Sequence, residues 1–156
     1  MCMPCHLCNF GQYLHAIVLI LSILLSIVFF LLGAIHFHWV FGGTFGYAAS
    51  LPTTETGERV LNPKKIDSAL VGTALISFGI FYWLEGGLSV LGLPTWVSRN
   101  VGWIIPWVFL MRAIGDFKYV GLFKKVKHTD FGRLDTRLFS PLCLGIAVVG
   151  LWIQWG

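Results

Sequence analysis

The chain has 156 residues, of which 56% are hydrophobic and only 12% charged, with a formal net charge of +4. A water-soluble domain carries about a quarter of its residues charged, so lipid is the solvent that this composition fits. Disordered, collagen-like and secreted disulfide-scaffold classes are excluded by the same figures. At about 20 residues per span, the length allows a single membrane domain over 1–156 with four helices.

In chain order, residues 1–13 form a Cys-rich tail in which Cys2, Cys5 and Cys8 make a C-x2-C-x2-C run around His6. Thiolates at this spacing suit zinc or an iron-sulfur cluster, but no fourth ligand is specified. An outward-facing tail also favours disulfides, so a tail without metal is expected. The first helix is expected at about 14–36, because Ala16 to Ile35 holds no charge and only the hydroxyls of Ser22 and Ser26 are polar. No Lys or Arg precedes it and its apolar run is too long for a signal core, so retention is expected.

The loop that follows is aromatic and Gly-rich from Phe41 to Ala49, and from Pro52 to Val60 it alternates polar and β-branched residues around a Gly. A short hairpin or a re-entrant segment both fit. The second helix is expected at about 66–86, with Ser68, Gly72 and Gly79 near one face, where small residues let a neighbour approach closely. The third, about 101–120, carries Pro106, Arg112 and Asp116. The fourth, about 138–155, has Pro141 in its first turn, where a missing N–H costs nothing. Trp96, Trp103, Trp107, Trp152 and Trp155 cluster near the same ends of helices three and four, as half of an aromatic belt. The fold class expected is an all-α membrane protein, with four transmembrane helices in a compact bundle.

The two loops on one side hold nine Lys and Arg, against Arg99 alone on the other. The positive-inside rule then puts both loops in the cytoplasm and both termini outside, in the inner (cytoplasmic) membrane. That topology gathers polar residues at one face. His36, His38 and Trp39 end helix one. Arg112 and Asp116 share a face of helix three at i,i+4 spacing, and Asp135 and Arg137 precede helix four.

Arg112 weighs most, since an ionisable group within a span is read as functional by default. Its fork suits a carboxylate or phosphate, and the structural alternative is a pair with Asp116 or Asp135 that locks helices three and four. His36 and His38, two residues apart, point to different helix faces, so no metal is expected. They suit proton or substrate contact, or an interfacial role beside Trp39. The basic stretch Lys118 to Lys127 does not divide into apolar and charged faces and reads as a topological signal. Cys143 reads as a packing residue.

Three stretches carry a family resemblance: Arg112-Ala113-Ile114-Gly115-Asp116-Phe117, Val120-Gly121-Leu122-Phe123-Lys124, and Leu134-Asp135-Thr136-Arg137-Leu138-Phe139-Ser140-Pro141-Leu142-Cys143. Together with His38-Trp39, Gly42-Gly43, Leu51-Pro52 and Asn62-Pro63, they resemble bacterial integral membrane proteins of the domain of unknown function 3995 family. The resemblance covers about residues 14 to 153, and Met1 to Cys8 departs from it. It implies four membrane helices and no assigned activity or cofactor.

Three functional classes fit. A binding protein would hold an anionic amphiphile or lipid headgroup at the cluster of His36, His38, Trp39, Arg112, Asp116, Asp135 and Arg137. A small membrane enzyme would move protons through His38 or Asp116 on a lipid-soluble substrate oriented by Arg112. A transporter would need Glu85 on an outer polar path and a homo-oligomer, since no inverted repeat is evident. The first is favoured because it needs only convergence. Membrane lipids are the expected partners. Nucleic acid is not, because the positive charges are those that flank a membrane.

Overall fold

Apolar runs of this length satisfy their backbone groups internally only as helices. In the computed structural model, which describes residues 5–54, 56, 58–86, 93–126 and 128–155, with the backbone alone for 5–10, the long elements are all helical. They are α1 (Cys5–Val40), α2 (Lys65–Glu85), α3 (Thr95–Ile114) and α4 (Asp130–Trp155), the last widened by a π-turn at Asp135–Phe139. A 3-10 turn, Ala48–Ser50, lies in the first loop. Cys2, the side chains of Cys5 and Cys8, and Lys127 lie outside the described residues.

Three helical segments are long and apolar enough to cross a membrane, namely Gly11–Val40, α2 and α4. Three of the four expected spans therefore meet that measure. The shortfall is α3, whose 20 residues include Arg99, Asn100 and Arg112. Its bounds also differ from 101–120. Gly115, at φ 82°, ends it by donating its N–H to the Met111 carbonyl at 2.9 Å. Pro106 therefore sits in mid-helix.

Helix α1 starts upstream of residue 14, because residues ahead of the apolar run extend an existing helix at little cost. Helix α4 starts at Asp130, eight residues early. The Thr129 hydroxyl accepts the Gly132 N–H at 3.0 Å and Asp130 stands in the first turn, both of which stabilise a helix start. Pro141 is consequently deep inside α4, not in its first turn. The π-turn, closed by the Ser140 N–H on the Asp135 carbonyl, occupies the turn that this proline disrupts.

Helix α1 packs along α2, α3 packs along α4, and α1 touches α4. One apolar cluster joins all four helices through Phe29, Leu75, Tyr82, Ile105, Phe109, Ile146 and Ala147 among others. The small-residue stripe of α2 does face α1. Gly72 lies against His36 and Phe37, and Gly79 lies against Phe30 while its carbonyl accepts the Ser26 hydroxyl at 2.8 Å. Phe41 and Phe45 are exposed, so the glycine-rich segment lies on the surface and does not re-enter between the helices. After it, an isolated antiparallel bridge joins Thr53 to Arg59, a minimal hairpin without a named strand among the described residues.

A side chain at position 79 would have its Cβ 2.8 Å from the Phe30 ring. Gly79→Leu is expected to lose about 1–3 kcal/mol by overpacking, read as a fall in thermal midpoint in detergent. Gly145→Ala, where a Cβ meets nothing within 4 Å, should leave the midpoint unchanged or raise it.

Candidate functional site

The site is built around the carboxylate of Asp135, which the π-turn of α4 presents to α3 and to the loop that follows it. Asp135 is completely buried. Its Oδ1 accepts from Arg112 Nη2 at 3.0 Å. Its Oδ2 accepts from Lys124 Nζ at 2.9 Å, the Gly121 N–H at 2.9 Å and the Ser140 hydroxyl at 3.1 Å. The π-turn matters here, since Asp135 and Ser140 are five residues apart and meet only where the helix is widened.

Lys124 is only 1% exposed. Its ammonium satisfies all three donors, on Asp135, the Gly121 carbonyl at 3.0 Å and the Thr136 hydroxyl at 2.7 Å. Isolated charges of this kind are too costly to bury, so each ion here is tenable only because the others are present. The balance is uneven, however, since two cations share one carboxylate. Arg112 keeps a 35% exposed side chain, and its Nη1 is buried with no hydrogen-bond partner among the described residues.

The loop that delivers Gly121 and Lys124 closes tightly on the end of α3. Gly115 and Gly121 both have positive φ, and a Cβ on either would collide with the backbone of the other strand of the loop. Asp116 organises this turn. Its Oδ1 accepts the backbone N–H groups of Lys118, Tyr119 and Val120 at 3.0, 2.7 and 2.8 Å. Slight desolvation pushes the Asp116 carboxyl up, but the donors of Val120, Tyr119 and Lys118 outweigh it and hold the group below its ordinary range. The expected Arg112 and Asp116 pair does not form, because α3 ends at Ile114 and the i,i+4 geometry ends with it. Arg112 pairs with Asp135 instead.

His36, His38 and Trp39 form a separate group. His36 donates from Nδ1 to the Leu32 carbonyl at 2.9 Å and packs tilted against Trp39, with ring centroids 4.7 Å apart. Trp39 donates its indole N–H to the Phe45 carbonyl at 2.7 Å and packs edge-on to Tyr47, whose hydroxyl reaches the Pro63 carbonyl at 3.2 Å. These contacts hold the first loop against the end of α1. His38 is exposed with its ring over Gly43, and Arg137 is exposed on α4. Among the described residues, no three His, Cys, Asp or Glu side chains come together as a metal site would require.

The two loops meet beside Arg112 in a cavity of about 390 Å3. Arg112, Asp67, Asn62 and Ser50 supply its polar wall, and Leu51 and Phe131 are among its apolar wall. That volume lies within the range of small-molecule sites. Neither histidine lines it. At the far end of α2, Ser22 Oγ, Tyr82 Oη and Glu85 Oε1 are also buried without partners among the described residues, and they take no part in this cavity.

Lys124, Ser140 and Asp67 escaped the sequence reading. Lys124 looks no different from its exposed neighbour Lys125, and the Asp135 to Ser140 spacing has no meaning on an α-helical wheel. Thr129-Asp130-Phe131-Gly132 was the signal that α4 begins early enough to bring Asp135 into the helix.

The sequence profile of the family described as "Protein of unknown function (DUF3995)" matches residues 29–150, which contains the whole ion cluster and the cavity. No curated protein and no solved structure matches the chain.

Asp135→Ala would strand two cations and is expected to cost about 3–5 kcal/mol, visible as loss of folded protein in detergent. Lys124→Ala should cost less, because Arg112 still pairs the carboxylate. The Asp116 carboxyl has a lower pKa folded than unfolded, where it lies near about 3.9. Its contribution to stability is thus present above that value and lost as the pH falls through the folded pKa. Asp116→Asn retains an acceptor oxygen, so its thermal midpoint should fall less steeply than that of wild type between about pH 5 and pH 3.

Proposed function

The chain belongs to the DUF3995 family, and from that premise we propose that it is a four-span protein of the inner membrane that binds an anionic amphiphile or a lipid headgroup beside Arg112. The observation that carries this reading is that Arg112, with a partly exposed side chain, lines a cavity while its Nη1 has no hydrogen-bond partner among the described residues. An unmade hydrogen bond from a buried charged group is costly, and a turn of the guanidinium toward a ligand oxygen in the cavity would make it. The excess positive charge of Arg112 and Lys124 over Asp135 favours a ligand with one negative charge at that wall. A planar fork recognises carboxylate and phosphate oxygens best.

Helix α3 is the fourth span in this reading. Its outward side carries Ile104, Trp107, Val108 and Met111, all exposed, and its other side packs along α4. Exposed apolar surface of that extent suits lipid. The Lys and Arg of the two loops favour an orientation with the Arg112 end in the cytoplasm and both termini outside. The exposed Phe117 and Phe123, with Lys118 and Lys125 beside them, suit an interfacial position at that end.

Mass spectrometry of gently purified protein tests the reading. Wild type is expected to retain a stoichiometric amphiphile whose headgroup carries a phosphate or carboxylate, and Arg112→Lys, which keeps the charge but loses the fork, to lose most of it. Equal retention by the two, or none by wild type, would overturn it.

A further inference from the structure

The cavity beside Arg112 has a second charged wall, and its sign is opposite. Asp67, in the first turn of α2, lines the same space. Its Oδ2 accepts the Lys64 N–H at 2.8 Å, whereas no hydrogen bond from a described residue reaches Oδ1. Asp67 also makes no ion pair with a described residue, although Lys64 and Lys65 are close in sequence. One wall therefore carries the surplus positive charge of Arg112 and Lys124, and another carries a carboxylate with an open oxygen. A simple anion would gain from the first and be repelled by the second.

We propose, resting on the reading above, that the ligand is a zwitterion, a phosphodiester joined to a primary ammonium, with the phosphodiester on Arg112 and the ammonium on Asp67. A phosphodiester carries the single negative charge that the Arg112 side lacks, and its two unesterified oxygens match the guanidinium fork. A primary ammonium offers three donors to Asp67 and the Asn62 side-chain carbonyl. A quaternary ammonium offers none and relies on an aromatic cage, yet Phe131 is the sole aromatic residue in the cavity wall. Leu51, Pro52, Leu61 and Val120 give the linking carbons an apolar surface.

The test uses the full chain in detergent, titrated with dihexanoyl phosphatidylethanolamine, phosphatidylcholine and phosphatidylglycerol, and with soluble glycerophosphoethanolamine. Wild type is expected to bind the ethanolamine lipid about tenfold more tightly than the choline lipid. Asp67→Asn keeps an acceptor for Lys64 N–H, so α2 retains its start. It should erase that preference while the glycerol lipid binds as well as before or better. Arg112→Lys should weaken all of them. If Arg112→Lys weakens binding and Asp67→Asn leaves the preference intact, the zwitterion is overturned and the anion site stands. If Arg112→Lys changes nothing, both fall. Glycerophosphoethanolamine binding as tightly as its lipid would support the zwitterion and identify its source as a free headgroup; much weaker binding would support it with a lipid source.

Discussion

Everything at the loop end of this protein depends on one buried carboxylate. Asp135 alone would be untenable in the interior, and so would Lys124, so neither the π-turn of α4 nor the loop over α3 makes physical sense without the other. The carboxylate also draws the backbone of Gly121 to 2.9 Å, an approach that a side chain at 121 would block. Through Arg112 it ties the last turn of α3 to α4. Four donors converge on two oxygens, and this fixes the relative register of two helices and a loop. Two cations on one carboxylate leave charge over, which turns a structural lock into a candidate binding wall.

The other half of the molecule is held by different physics. Between α1 and α2 there is no ion pair among the described residues; contact comes from absent side chains at Gly33, Gly72 and Gly79 and a single hydroxyl bond from Ser26. Close backbone approach at these glycines brings dispersion contacts that hold the two helices together. The tie between the two helix pairs is aromatic and central, since Phe29 of α1, itself stacked on Tyr82 of α2, and Phe78 of α2 both meet Phe109 of α3. The first loop is then pinned by indole and phenol groups, Trp39 and Tyr47, which hold it where it forms one side of the cavity.

A cavity made by two loops has an advantage for recognition, because its walls come from elements with separate anchors. Arg112 is oriented by Asp135, and Asp67 is oriented by the start of α2. Opposite charges can face a common space without collapsing into an ion pair when each is held by its own backbone. Preorganised groups of that kind lose little entropy when a ligand arrives.

Composition and hydropathy by themselves determined the helical class and the number of long helices, since long apolar runs satisfy their backbone groups internally as helices. Spacing alone also revealed the α2 stripe, because a helical face is a local property of Ser68, Gly72 and Gly79. That Arg112 would be paired was legible for a similar reason: charge is rare in such a chain. Its partner was legible only as a choice between Asp116 and Asp135. The choice of Asp135 over Asp116 depended on where Gly115 stops α3, and the burial of Lys124, not Lys125, depended on how a loop folds back over the helix. Asp67 joined the cavity only because two loops distant in sequence meet there. Those decisions belong to the tertiary structure, since desolvation and ion pairing depend on what surrounds a side chain in space, and no local pattern records it.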